Sequence, residues 1–153
     1  MEPTAIILQH KPSIPTDDLL STFARSGITG IKLRPNNVNE LPSEQLITKS
    51  SAVVLVDIPA RNNHQLHEEE IKLIKRFCNK KKILALGTGT ITAGIAHGAK
   101  ICSDHLRLGW MPAAPTNHVS GQLEKFSTKI LVNSNIKLTP PEEAKILLTS
   151  GRH

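Results

Sequence analysis

The chain has 153 residues, of which 39% are hydrophobic and 21% are charged; this describes one ordinary globular domain and excludes a disordered or fibrous chain. The net charge of +6 favours an acidic protein or nucleic-acid partner, although much of the excess lies along one predicted helix. No apolar run approaches the roughly 20 residues of a membrane span, and no secretion signal is evident. We therefore expect a cytoplasmic protein with no membrane contact.

Apolar runs alternate with amphipathic stretches along the chain. The runs predict strands at residues 4–9, 28–33, 52–57 and 82–86, with one more at 100–102 or 105–108. The amphipathic stretches predict helices from Thr16 or Asp17 to Gly27, at 42–48 and 67–78, through Ala93 and Ala96, at 119–132 and after Thr139. This alternation predicts an α/β fold, a parallel sheet with helices on both faces.

Asp57 closes the most strand-like segment, an uninterrupted apolar run over residues 52–56. A strand of this kind is buried on both faces, and parallel sheets offer their ligand sites at the carboxyl ends of such strands. A carboxylate there is a nucleophile, a cation ligand or a helix cap.

Five segments resemble the landmarks of receiver domains of two-component response regulators of the NarL/LuxR type. They are residues 8–12, 27–28, 53–58, 86–88 and 110–112, and the match extends over residues 4–132. The resemblance implies a flavodoxin-like (CheY-like) three-layer α/β/α domain with a five-stranded parallel sheet. It also implies phosphorylation of an aspartate after strand three, with Mg²⁺ held by an acidic pair after strand one.

Asp57 matches the phosphoacceptor of that family, and Thr88 matches its switch hydroxyl. Gln9 and His10 stand where the two carboxylates are expected, and Met111 stands where a lysine is expected. Mg²⁺ prefers hard oxygen ligands, and phosphoryl transfer depends on cations that neutralise the transferring oxygens. Mg²⁺ binding is therefore expected to be weak or absent, with no other cofactor.

The chain is thus interpreted as a degenerate receiver, a signalling module that is not an enzyme and acts through a protein partner or a homodimer. Residues 1–132 would form the receiver-like domain. Residues 133–153 would form an extension with a capped helix, which either packs on the domain or begins a truncated helix-turn-helix. DNA would then be contacted only indirectly or through a missing domain.

A second resemblance, to class I glutamine amidotransferase-like proteins, rests on residues 82–86, 87–90, 93–95 and 103–105. In that family a cysteine on the tight turn after a strand is activated by a histidine. Here the turn position is Gly87, so the resemblance implies a noncatalytic relative in which His105 is left over.

The turn itself supports a third hypothesis, that Gly87, Gly89 and Thr90 form an anion-binding loop between a strand and a helix. The complete dinucleotide pattern would need a glycine at Thr92, so the motif alone is weak.

The close pair His64 and His67 lacks further ligands for zinc, and no metal site is predicted.

Overall fold

The computed structural model describes residues 2–115, 128–139, 142 and 148–150. The chain divides into two compact units, Met1–Gly98 and Ala99–His153. Within the described residues no helix has both the length and the apolar character to span a membrane.

The first unit is built on a four-stranded parallel sheet. Its strands are β1 (Thr4–Leu8), β2 (Thr29–Leu33), β3 (Ala52–Leu55) and β4 (Lys82–Ala85), in the spatial order β2-β1-β3-β4. Its helices are α1 (Asp17–Arg25), α2 (Glu44–Lys49), α3 (His64–Phe77) and α4 (Gly89–Ala96), with a 3₁₀ turn at Val38–Glu40. The strands and helices alternate along the chain, as the sequence predicts.

Side chains alternate between the two faces of β1 and β3, and both faces are buried. Ile6 and Leu55 belong to a core cluster that also contains Ile74 of α3. Ile7 and Val54 belong to a separate cluster that packs against side chains of α1. Helices therefore cover both sheet faces, and the predicted flavodoxin-like α/β fold class is confirmed.

The second unit is an antiparallel sheet, with β5 (Lys100–Pro115) between β6 (Thr128–Thr139) and β7 (Leu148–Ser150). The fifth predicted strand is part of β5, so it extends an antiparallel ladder, and the parallel sheet has four strands. The predicted boundary between residues 132 and 133 falls inside β6, whereas the two units divide after Gly98.

The two C-terminal helix predictions also need correction where the structure describes those residues. Residues 128–132 of the predicted helix at 119–132 lie in β6, and residues 119–127 lie outside the described residues. Leu148, expected on a closing helix, lies in β7. Ile130 and Val132 are β-branched and pair with Met111 and Gly109 of β5, so strand pairing overrides a spacing that also fits a helix.

Gly89 is the position where α4 approaches β3 most closely. A Cβ at residue 89 would lie 2.3 Å from the carbonyl oxygen of Leu55 and 3.0 Å from its Cβ. Because these are backbone and buried atoms, they have no room to move aside.

Gly89→Ala is therefore expected to lower the free energy of unfolding by about 2 kcal/mol or more, since it overpacks the contact between helix and strand. Urea unfolding followed by circular dichroism measures the change. Gly27→Asn is the matched control, because Gly27 has a φ of 69° with open space around it, and asparagine tolerates that conformation. Equal stability losses in the two variants would contradict the close-approach explanation.

Candidate functional site

Three loops meet at the carboxyl edge of the parallel sheet. They follow β1 at residues 9–11, β3 at residues 56–57 and β4 at residues 86–88. Because neighbouring parallel strands end on the same side, this edge is where the fold brings polar side chains together.

Asp57 joins two of these loops. Its side chain is fully buried; Oδ1 accepts a hydrogen bond from the backbone N–H of His10, and Oδ2 accepts one from that of Lys11, both at 2.7 Å. Phosphorylation requires an accessible carboxylate oxygen, and neither oxygen is accessible here. Asp57 holds the loop after β1 against the end of β3, and the phosphoacceptor assignment is not supported.

Gln9 organises the same loop from its other side. Its side chain is buried, and Nε2 donates to the carbonyl oxygens of Lys11 at 2.6 Å and Ile14 at 2.7 Å. Its Oε1 accepts a hydrogen bond of 3.0 Å from the hydroxyl of Thr16, the residue before α1. A carboxylate has no N–H to donate, so an acid at residue 9 could not make these two contacts.

His10 is paired with a residue that the sequence interpretation does not single out. Its Nε2 lies 2.7 Å from Oε2 of Glu70, its Nδ1 lies 3.1 Å from the carbonyl oxygen of Pro35, and the His10 and Glu70 side chains are 5% and 0% exposed. The sequence places Glu70 in the acidic start of a helix, but α3 begins earlier, at His64. Glu70 lies four residues after Leu66 and four residues before Ile74, and both of these are buried. An acid at that spacing lies in the apolar stripe of the helix and needs a buried partner. This spacing is the sequence signal that could have identified Glu70.

The pKa values of the half-buried His10 and His67 shift in opposite directions. Burial by itself lowers the pKa of His10, but its hydrogen bond to Glu70, the charge of Glu70, the Pro35 carbonyl and the charge of Asp57 together raise that pKa above the ordinary 6.5. Burial lowers the pKa of His67, whose Nε2 lies 3.1 Å from the hydroxyl of Thr92. Both ring nitrogens of His10 face acceptors, which favours its protonated form, whereas burial favours the neutral form of His67.

The turn after β4 keeps only part of the predicted anion loop. Gly89 N donates to Leu86 O at 2.9 Å, and the Thr90 hydroxyl donates to Gly87 O at 2.8 Å, so these two residues serve the turn itself. Gly87 adopts a φ of 49°. Within the described residues, the N–H groups of Gly87 and Thr88 have no hydrogen-bond partner.

The remaining predicted positions are not brought into one cluster. Thr88 is exposed at the start of α4, and its side chain makes no capping hydrogen bond. Met111 lies in β5 of the second unit, opposite Ile130, and not after a parallel strand as a receiver requires. Among the residues that the structure describes, no group of three His, Cys, Asp or Glu side chains is placed to hold a metal.

A cavity of about 390 Å³ opens beside the Gly87 turn. It lies between the loop after β1, the start of α1 and the ends of β3 and β4. Its lining comprises Lys11, Ile14, Pro15, Thr16, Leu19, Val56, Leu86, Gly87 and Thr88. The cavity therefore lies at the edge where this class of sheet binds ligands.

The chain shares its fold with solved structures of glutamine amidotransferases. The chain is similar to a glutamine amidotransferase of Thermotoga maritima, with a TM-score of 0.81 and 14% identity over 98% of this chain and 68% of that one. It is also similar to a glutamine amidotransferase of Methylobacillus flagellatus (TM-score 0.71, 17% identity, 98% and 62% covered). A putative GMP synthase component of Thermoplasma acidophilum gives a TM-score of 0.70 at 13% identity, with 98% and 74% covered.

The sequence alone matches no known family profile and no curated protein. The structural likeness shows the fold, and the chain spans between 62% and 74% of the length of these three proteins. The receiver-domain recognition was wrong, together with the response-regulator role attached to it, because the structural relatives are amidotransferase-like. The second resemblance, carried by the turn at Gly87, is the one that they support.

Asp57→Asn is expected to lower the free energy of unfolding by about 3 kcal/mol, because an amide replaces one acceptor oxygen with a donor that faces a backbone N–H. Asp18→Asn is the control: Asp18 is exposed in the first turn of α1, so its loss is expected to cost less than about 1 kcal/mol. Chemical unfolding at pH 7 measures both. If Asp57→Asn loses no more stability than Asp18→Asn, Asp57 does not hold the loop after β1 against the end of β3.

His10 should make folding depend on pH. Its folded-state pKa is raised above 6.5, so its stabilisation is fully present below pH 6.5 and is lost as the pH rises through the folded-state value. His67 has the opposite pH dependence. Its folded-state pKa is lowered, so the folded state loses stability as the pH falls below 6.5.

Urea unfolding of the wild type and of His10→Gln between pH 5 and pH 9 tests this expectation. The stability advantage of the wild type should shrink as the pH rises above 6.5. His67→Gln is the matched control, and its difference from the wild type should change below pH 6.5 instead. A His10→Gln difference that stays constant with pH would show that the imidazolium contributes nothing.

Proposed function

We propose that this chain is a noncatalytic relative of the glutamine amidotransferase-like proteins that acts as a binding module. The observation that carries the proposal is Gly87, which occupies the tight turn between β4 and α4 with a φ of 49°. Covalent amide hydrolysis at such a turn needs a nucleophilic side chain, and residue 87 has none.

The groups around Gly87 do not replace the missing nucleophile. Thr88 is exposed, and among the described residues its hydroxyl has no hydrogen bond to a base. Cys78 lies at the end of α3, where its thiol contacts the carbonyl oxygen of Lys75, and Cys102 lies in β5. Neither cysteine is part of the turn.

Two candidate general bases at the carboxyl edge, Asp57 and His10, are also engaged elsewhere. Both oxygens of Asp57 accept backbone N–H groups, and His10 lies between Glu70 and the Pro35 carbonyl. A base must reach the proton that it abstracts, and these side chains are held by structural partners. The absence of enzymatic activity, the protein partner or homodimer and the cytoplasmic location remain predictions that this proposal includes.

Glutamine hydrolysis is the direct test. The purified chain, incubated with millimolar glutamine, is expected to release no glutamate above the buffer blank, because residue 87 offers no side chain to attack the amide carbon. A coupled glutamate dehydrogenase assay measures the product, and a glutaminase of known activity serves as positive control. Sustained release by the chain would contradict the proposal.

A variant separates a contaminating enzyme from activity of the chain itself. If release were observed, Gly87→Asn should abolish it when the turn is the reacting site, since asparagine tolerates a φ of 49° and its side chain would fill the space beside the Val56 carbonyl, 3.1 Å from the Cβ position. The double variant Cys78→Ser/Cys102→Ser tests whether either thiol is responsible.

A further inference from the structure

We propose that the cavity beside the Gly87 turn binds a small carboxylate with an apolar body, such as a medium-chain fatty acid or an aromatic acid. This inference rests on the proposed function, because it assigns to binding a turn that has lost its nucleophile. It goes further by excluding glutamine-like ligands in favour of an amphiphilic monoanion.

The walls of the cavity define the apolar part of the ligand. Ile14 and Leu19 line it from the α1 side, and Val56 and Leu86 line it from the ends of β3 and β4. Leu86 is 37% exposed, one of three large hydrophobic side chains with such exposure among the described residues. At about 390 Å³ the cavity is within the range of small-molecule sites, which typically hold about 300–1,000 Å³. An apolar body would cover Leu86 and remove it from water.

The rim of the cavity defines the charge of the ligand. Lys11 is exposed and lines the cavity, and it forms no ion pair with any described residue. The N–H groups of Gly87 and Thr88, also at the lining, lack partners in the described part of the chain. One cation and two N–H donors match a carboxylate, which carries a single charge and accepts through two oxygens.

The same lining argues against glutamine and other amino acids. An amino acid brings an ammonium group and glutamine adds an amide NH₂, and each needs acceptors in the site. Two nearby side-chain acceptors are already used, Asp57 by the loop backbone and Gln9 Oε1 by the hydroxyl of Thr16, and the Thr88 hydroxyl is left to accept from a ligand. A ligand rich in N–H donors would leave most of these donors unpaired against the apolar walls, whereas a carboxylate has no donor to satisfy.

Isothermal titration calorimetry of the full chain tests the inference with four probes: octanoate, 1-octanol, octylammonium and glutamine. Octanoate should bind at least tenfold more tightly than octylammonium or glutamine, and more tightly than 1-octanol. Lys11→Met should weaken octanoate binding about tenfold and leave 1-octanol unchanged, because it removes the charge and keeps the apolar stem.

Two control variants separate the cavity from general surface binding. Lys80→Met removes a cation beyond the end of α3, near the opposite edge of the sheet, and should leave octanoate binding unchanged. Leu86→Gln should weaken the binding of both octanoate and 1-octanol, whereas Leu84→Gln, at an exposed leucine outside the cavity lining, should not. Circular dichroism confirms that each variant is folded.

The outcomes distinguish this inference from the proposed function. Failure of octanoate to bind, equal affinity for octanoate and octylammonium, or insensitivity to Lys11→Met would overturn the ligand assignment. Tight binding of glutamine without hydrolysis would overturn it as well, yet would leave the noncatalytic proposal intact. Hydrolysis of glutamine would overturn the proposed function, whatever octanoate does.

Discussion

The carboxylate of Asp57 is the constraint on which the carboxyl edge of the sheet depends. It is fully buried, and it accepts two backbone N–H groups from consecutive residues at 2.7 Å. Short hydrogen bonds to an ionised acceptor are stronger than neutral ones, and they oblige the backbone of the loop after β1 to curl around the end of β3. This curl directs the side chain of His10 toward Glu70 of α3, and it places Lys11 at the cavity.

A buried carboxylate such as that of Glu70 would be unfavourable without a compensating cation. His10 supplies it, because both of its ring nitrogens face acceptors, and a neutral imidazole has only one N–H to offer. Oε1 of Glu70 has no hydrogen-bond partner within the described residues, so the pair retains part of its desolvation cost. Buried ion pairs of this kind add little net stability, and their consequence here is a defined loop arrangement.

The fold and the position of the site could be predicted from the sequence, but the C-terminal strands and the role of the site could not. Strands buried on both faces must be continuously apolar, as β1 and β3 are, whereas the spacing in β5 and β6 suits a helix as well as a strand. Asp57 and Gly87 were located correctly at strand ends, because any doubly wound fold places chemistry there. That generality also led to the receiver assignment, which the structural relatives overturn. The backbone contacts of Asp57 and the pairing of Glu70 with His10 are tertiary and could not be read from the sequence.

The turn at Gly87 keeps its geometry without a side chain at residue 87. Gly89 allows α4 to lie against the Leu55 carbonyl, and the Gly87 carbonyl is bound by the Thr90 hydroxyl, so the geometry of the turn is held by contacts that do not involve a side chain at residue 87. A glycine at this position is therefore compatible with all of those contacts. It also leaves two N–H groups beside an apolar cavity and a lysine that no described residue pairs with, an arrangement better suited to holding an anion than to attacking an amide.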